Sequence, residues 1–79
     1  MQELLTFLAK SLVENPDEVK VVDAGTEDGV LTLKLSVAPN DMGKVIGKQG
    51  RIAKAIRTVI KAAAVKENLK VNVEIVDAL

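Results

Sequence analysis

Two glycines three positions apart, Gly47 and Gly50, enclose a lysine and a glutamine within an otherwise helix-forming, apolar segment. Glycine lets the backbone take positive φ and lets another chain approach closely, so the pair predicts that one helix ends here and a second begins. The second helix would start at Gly50 with its N–H groups and positive dipole end open, beside Lys48. This arrangement favours binding of a phosphate group rather than of a carbonyl group or a metal ion.

The charged residues are distributed unevenly, although their formal sum is zero. Residues 40–66 contain seven basic residues and one acid, Asp41, whereas the rest of the chain contains four lysines and ten acids. A basic segment in acidic surroundings steers a polyanion to one face of a protein. Basic residues also keep an ordinary helix face soluble, so charge alone leaves both interpretations open.

The spacing of apolar residues predicts the first half of the scaffold that positions this segment. A helix is expected over residues 2–14, before the helix breaker Pro16. Its inward face comprises Leu4, Leu5, Phe7, Leu8 and Leu12. Strands are expected over residues 18–22 and 30–37, separated by a polar hairpin turn at residues 24–29. The second strand alternates apolar and polar residues, which places one face in the core. That face comprises Leu31, Leu33, Leu35 and Val37.

The second half of the chain predicts two helices and a final strand. Pro39 opens a short helix through Ile46, with Asn40 or Asp41 capping its free N–H groups. A longer helix follows the glycine turn and ends at Asn68. Its inner stripe comprises Ile52, Ile56, Val59, Ile60 and Ala63, and its outer basic face comprises Lys54, Arg57 and Lys61. The inward face of the last strand comprises Leu69, Val71, Val73 and Ile75. The order helix, strand, strand, helix, helix, strand predicts an α+β fold with helices on one face of a three-stranded sheet.

The segment Ile46-Gly47-Lys48-Gln49-Gly50 resembles the Ile-Gly-x-x-Gly signature of the KH domain, an RNA-binding module. Over nearly the whole chain, the order of elements is similar to that of the small single-KH proteins of bacteria, the KhpA family. The resemblance implies one type II KH domain over residues 1–79, with a partly parallel sheet. One departure concerns two places where the common pattern has isoleucine. Here Ile56 occupies one of these places and Ala53 the other, and a bulky residue lies instead at Ile52. The sequence does not decide whether this change alters the shape of the groove.

The resemblance also implies a mode of binding, in which the glycine turn clamps the backbone of about four nucleotides and a neighbouring groove holds the bases. The residues expected to bind RNA are Gly47, Lys48, Gln49, Gly50, Arg51, Lys54, Lys44 and Ile46. Val45, Ile52 and Leu33 or Leu35 are groove or core residues. Because nothing in the sequence requires contact with a 2′-hydroxyl, single-stranded DNA remains an alternative ligand.

The single aromatic residue, Phe7, predicts weak binding with low sequence selectivity. Proteins that stack bases on aromatic side chains need several of them, which excludes the platforms of RRM sheets and of many OB-folds. Affinity then depends on phosphate contacts and groove fit, and non-specific binding of this kind has a Kd on the order of 10⁻⁴ to 10⁻⁶ M. The expected role is that of an RNA chaperone or post-transcriptional regulator.

The alanine-rich end of the long helix is a candidate contact surface. It contains Val59, Ile60, Ala62, Ala63, Ala64 and Val65. These residues either pack tightly against the sheet or form an exposed patch, and paired grooves would raise the effective concentration for RNA. The resemblance implies a homodimer, or a heterodimer with a second, larger KH-containing RNA-binding protein. A KH scaffold that binds only protein is the main alternative function.

An enzymatic function has little support, because the chain contains no histidine and no cysteine. The segment Gly43–Gln49 differs from a phosphate-binding P-loop, which needs four residues between its glycines and Ser or Thr after the lysine. We therefore expect neither a catalytic site nor a metal or cofactor. The first residues lack the basic start of a signal peptide, and no apolar run is long enough to span a membrane, so we expect a cytoplasmic protein.

Overall fold

The computed structural model describes residues 1–77 and 79, except that the side chains of residues 48 and 49 lie outside the described part. The elements in chain order are helix α1 (Gln2–Leu12), a short 3₁₀ helix (Pro16–Glu18), strands β1 (Lys20–Glu27) and β2 (Val30–Ser36), helix α2 (Pro39–Lys66) and strand β3 (Lys70–Ile75). This arrangement confirms the predicted α+β class. The two predicted helices in the second half form a single hydrogen-bonded element, α2.

The sheet has the strand order β1-β2-β3 and is mixed. Strand β1 pairs antiparallel with β2, whereas β3 pairs parallel with β2, with Leu33 opposite Val73. The partly parallel sheet implied by the resemblance is thus confirmed, and α2 is the crossover between the parallel strands. Helix α1 packs over β1 and α2 packs over β3. The outer edge of β3 pairs with no other strand in the described part of the chain, so it is open beside α2.

The β1–β2 hairpin is longer and tighter than predicted. Its turn consists of Asp28 and Gly29 alone, with φ of +53° and +80°, as in a type I′ turn. Between Asp23 and Thr26 the register shifts at a bulge, where Gly25 has a φ of +98°. The Oδ1 atom of Asp23 accepts a hydrogen bond from the Gly25 N–H at 2.7 Å. Residues 24–27 of the predicted turn therefore belong to a bulged, continuing strand, and only Asp28 and Gly29 form the turn.

One core cluster fills the space between the helices and the sheet. Its buried members are Leu5, Ala9, Val19, Leu33, Leu35, Val37, Val45, Ala53, Ile56, Ile60 and Val73. Four predicted core residues are instead exposed: Phe7, Leu12, Val59 and Leu69. On α1 the buried face is set by Leu5 and Ala9, one turn apart, and Phe7 lies on another face with 67% of its surface exposed.

The buried stripe of α2 is rotated relative to the prediction. It consists of Ala53, Ile56, Ile60 and Ala64, at intervals of three and four residues. Val59 is exposed, and Ile52 and Ala63 are only half-buried. Ala53 and Ala64, at the two ends of the stripe, are 6% and 2% exposed, so small side chains fill the core where the stripe begins and ends.

Asp41 ties the start of α2 to the segment that follows α1. Its side chain is 1% exposed and accepts hydrogen bonds from the Glu14 backbone N–H at 3.1 Å and from the Asn15 backbone N–H and Nδ2 at 3.0 and 3.1 Å. The predicted N-terminal cap is wrong, because the cap residue is Ala38 and no side chain caps the helix. Burial acts to raise the pKa of Asp41, but these hydrogen bonds and the charge of Lys44 hold that pKa below its ordinary value of 3.8.

Helix α2 ends at Lys66, two residues before the predicted end at Asn68, and Asn68 closes it. This residue has a φ of +59°, and the backbone N–H groups of Asn68 and Leu69 donate to the carbonyls of Val65 and Ala64 at 3.1 and 2.8 Å. The pattern is a Schellman motif, in which a left-handed residue closes the helix and reverses the chain. It directs the chain into β3, which then runs alongside α2.

Candidate nucleic-acid interface

The predicted break between two helices is confined to one residue. Gly50 has a φ of +67°, whereas Gly47 is not among the residues with positive φ and lies in helical conformation. The prediction that a short helix ends at Ile46 is therefore wrong, because α2 continues past Gly47. A Cβ atom built on Gly47 or Gly50 meets nothing within 4 Å. The backbone at both glycines is thus open to the approach of another molecule.

Two adjoining cavities line the side of α2 that faces β3. The first, which we call the turn cavity, has a volume of about 410 Å³ and is lined by Ile46, Gly50, Ala53, Lys54, Arg57 and Ile75. The second, the strand cavity, has a volume of about 310 Å³ and is lined by Lys54, Arg57, Thr58, Lys61, Val71, Asn72 and Val73. They share two basic residues. Together they form one groove that runs from the glycine turn along the open edge of β3.

The structure brings three of the predicted site residues together in this groove. Ile46, which is 54% exposed, lies in the turn cavity with Gly50 and Lys54. Ala53, which stands where the common pattern has isoleucine, lies there too and is 6% exposed. Ile52, where the bulky side chain has moved, is half-buried and packs against the core.

Other predicted residues lie elsewhere. Lys44 forms an ion pair with Glu14, with both side chains largely exposed, and Arg51 is exposed outside both cavities. An exposed ion pair of this kind contributes little to stability. Lys48 and Gln49 are helical in backbone, but their predicted side-chain contacts with phosphate lie outside the described part of the structure. Val45, Leu33 and Leu35, offered as groove or core residues, are core, with at most 1% of their surface exposed.

Arg57 is a site residue that the sequence prediction omits, since the sequence places it only on the outer basic face. Its side chain lines both cavities, and its Nε donates to the Val73 carbonyl oxygen at 3.3 Å. The spacing of Lys54, Arg57 and Lys61 at three and four residues places all three on one side of the helix, which is a signal the sequence does contain. The sequence could not show that this side faces the strand edge.

The chemistry of the groove suits a flexible anion with apolar, planar parts. Its α2 side supplies lysine and arginine, its floor is aliphatic, and no aspartate or glutamate is among the described residues that line the two cavities. A basic rim attracts phosphate groups, and aliphatic walls pack against the faces of bases. Among the described residues there is no group of three or more acidic side chains placed to hold a metal ion. No described helix is long and apolar enough to cross a membrane.

Known proteins resemble the chain over nearly its full length. The family model for the KH domain of KhpA/KhpB matches residues 2–75. The chain is 67% identical over 76 residues to the RNA-binding protein KhpA of Clostridium acetobutylicum, covering 96% of this chain and 100% of the relative. It is 62% identical over 76 residues to the protein of that name from Clostridium perfringens, with the same coverage. For the Bacillus subtilis protein the identity is 47% over 77 residues, covering 98% of this chain and 94% of the relative. The chain therefore belongs to the KhpA/KhpB family of KH-domain proteins.

Proposed function

We propose that this chain binds single-stranded RNA with low sequence selectivity, and that the Gly47–Gly50 turn clamps the sugar–phosphate backbone. The observation that carries the proposal is the groove between α2 and β3, which is basic at its rim, aliphatic at its floor and begins at Gly50. Membership in a family whose relatives are named RNA-binding proteins supports the choice of ligand.

In the proposed complex, the strand enters at the glycine turn and its bases lie along β3. The open space at Gly47 and Gly50 lets phosphate oxygens approach the backbone, and Lys48 and Gln49 belong to this clamp. Arg51, exposed in the next turn of the helix, and Lys54 at the rim add positive charge. Ile46 packs against the first base.

The groove also accounts for the proposed low affinity and selectivity. The lone aromatic, Phe7, lies exposed on α1, so it supplies no stacking surface in the groove. Contacts to three or four phosphates of a single strand give a log–log salt slope of roughly −2 to −3. Such binding suits a protein that engages many transcripts, and we propose a non-enzymatic, cytoplasmic RNA chaperone or post-transcriptional regulator that acts as one KH domain over residues 1–79.

The test is a fluorescence-anisotropy titration of a labelled single-stranded RNA pool at two salt concentrations. The native chain is compared with a Lys48→Asp, Gln49→Asp double variant. We expect the affinity of the variant to fall at least tenfold, since two carboxylates at the clamp repel phosphate and one cationic side chain is removed. The salt slope should also become shallower, by roughly 0.7 for each phosphate that the variant no longer neutralises.

A matched control separates the clamp from a general effect of charge. The double variant Lys10→Asp, Ser11→Asp makes the same change in charge at two neighbouring, exposed positions on α1. It should bind RNA within about twofold of the native chain, and circular dichroism should show both variants folded. If neither the native chain nor the control binds RNA, or if all three proteins bind alike, the clamp is wrong and a protein-interaction module is the better description. Parallel titration with DNA of the same sequence decides between the two nucleic acids.

We also propose that α2 carries the contact surface for a second protein chain. Of the apolar residues at the end of this helix, Ile60 and Ala64 are buried, whereas Val59, Ala62 and Val65 are exposed. These three positions, at intervals of three residues, place exposed apolar side chains on successive turns of the helix, outside the two cavities of the groove. A second copy of this chain, or the larger KH-containing partner that the resemblance implies, would cover these side chains and place two grooves side by side.

Sedimentation equilibrium of the purified chain tests the self-association. We expect a dimer that Val59→Glu converts to a monomer, because the substitution places an unpaired charge in the contact. The matched control is Val22→Glu on β1, since Val22 and Val59 are 44% and 42% exposed. If the native chain is monomeric even at high concentration, the proposed homodimer is wrong, and the larger partner protein is the only proposed occupant left for this surface. If Val22→Glu disrupts the dimer as strongly, the interface lies elsewhere.

A further inference from the structure

The two cavities of the groove meet at the side chain of Arg57. On α2, Gly50 and Ala53 line only the turn cavity and Thr58 and Lys61 line only the strand cavity, so Arg57 lies at the junction together with Lys54. Its Nε donates across the groove to the Val73 carbonyl oxygen at 3.3 Å. This bond joins the helix to the strand edge and restrains the plane of the guanidinium group.

The bond to Val73 leaves the outer end of the guanidinium group for a ligand. Arginine carries five N–H donors in a planar fork, and the Nε bond uses one of them. Among the described residues, Arg57 makes no other side-chain hydrogen bond and no ion pair. Its Nη1 and Nη2 atoms therefore present paired donors in the groove, spaced to meet two adjacent acceptors on one planar group.

We propose that Arg57 selects, at one position of the bound strand, a base that presents two adjacent acceptors, which means guanine or cytosine. The inference rests on the proposed function and refines it by adding one base preference to binding that is otherwise unselective. Guanine offers O6 and N7, and cytosine offers O2 and N3. On adenine and uracil, an amino or imino N–H interrupts the acceptors and would oppose the N–H donors of Arg57. These base edges are all accessible in a single strand.

The surroundings of Arg57 favour a base over a phosphate as its partner. Aliphatic residues adjoin it on both sides of the groove, with Ala53 on α2 and Val73 and Ile75 on β3. Such walls accept the face of a base, whereas a phosphate would lose hydration against them. Phosphates have a further site at the glycine turn and beside Lys54 and Lys61, which are exposed, as Arg57 is, but make no hydrogen bond to β3 among the described residues.

The experiment compares the native chain with Arg57→Lys, which keeps the positive charge and removes the fork. Anisotropy titrations use four labelled octamers: oligo(A), oligo(U), oligo(C) and alternating adenine–guanine. A bidentate contact discriminates by about fivefold or more. We expect the native chain to bind the cytosine or the guanine-containing octamer at least fivefold more tightly than oligo(A) and oligo(U). Arg57→Lys should bind all four within twofold of one another, and the two acceptor-rich octamers separate guanine from cytosine.

Arg51→Lys is the matched control, since it makes the same substitution in an earlier turn of the helix, outside both cavities. It should keep the base preference even if overall affinity falls. The inference is overturned if the native chain shows no preference, if the preference survives in Arg57→Lys, or if Arg57→Lys weakens all octamers equally, as removal of a phosphate-binding group would. Such a result leaves the proposed function intact as long as the native chain binds and the clamp variant does not. If the native chain binds no octamer, the proposed function fails as well.

Discussion

Replacement of Ile60 by alanine is expected to lower the free energy of unfolding by about 3 kcal/mol, within the range of about 2–5 kcal/mol for such core truncations. Ile60 is 0% exposed and lies in the middle of the α2 stripe that packs on the sheet. Small domains are stable by roughly 0.05–0.15 kcal/mol per residue, so this decrease is a large part of the total. Urea unfolding followed by circular dichroism measures the change.

Two further substitutions on the same helix calibrate that result. Ile60→Val should cost only about 0.5–1.5 kcal/mol, because it removes a single methylene group. Val59→Ala, at the adjacent exposed position, should change stability by less than about 0.5 kcal/mol in the monomer. If Ile60→Ala and Val59→Ala cost the same, the orientation assigned to α2 on the sheet is wrong, and so is the side of the helix assigned to the groove.

Alanine at the two glycines of the turn is expected to change stability in opposite directions. At Gly50, with a φ of +67°, a Cβ atom strains the left-handed backbone, and the domain should be destabilised by about 1–2 kcal/mol. At Gly47, which is helical and has open space around it, alanine should instead stabilise the domain by roughly 0.5–1 kcal/mol. Thermal unfolding of both variants measures these opposite shifts.

The same variants separate stability from binding. Each added methyl group occupies space that phosphate oxygens enter in the proposed complex, so both variants should bind RNA less tightly, including the more stable Gly47→Ala. Gly43→Ala is the control, because Gly43 is also helical and open but lies outside both cavities. It should raise stability and leave the affinity unchanged. Unchanged RNA affinity in Gly47→Ala would count against the clamp.

Much of the fold could be predicted because its signals are local. Alternation of apolar residues in β2 and the helical spacing in α1 and α2 depend on neighbouring residues, and so does the closure of α2 by the left-handed Asn68. The hairpin could be predicted less well. Asp28-Gly29 is a strong local turn signal, but whether Gly25 belongs to a loop or to a bulge depends on pairing with β2.

The errors concern which face of an element meets which neighbour. Phe7 has helical spacing to the other apolar residues of α1. The core, however, lies on the side of α1 that carries Leu5 and Ala9, so Phe7 is exposed. Asp41 lies at an ordinary capping position, but tertiary packing supplies better donors from Glu14 and Asn15, which are distant in sequence. Arg57 is a third example. Its place in the groove depends on a hydrogen bond to the carbonyl oxygen of Val73 in β3, which lies sixteen residues later in the chain.

The parallel pairing of β2 with β3 sets the order in which the binding groove can assemble during folding. Glu27 pairs with Val30 across the hairpin, a contact that closes only a very short loop, whereas Leu33 pairs with Val73, forty positions later. Closing the longer loop costs more chain entropy and requires α2 to form and cross over the sheet first. The hairpin can therefore form early, while the groove exists only once the crossover is complete. A ligand that contacts both α2 and β3 would bind only this last-formed state, and occupancy would then stabilise the whole domain by mass action.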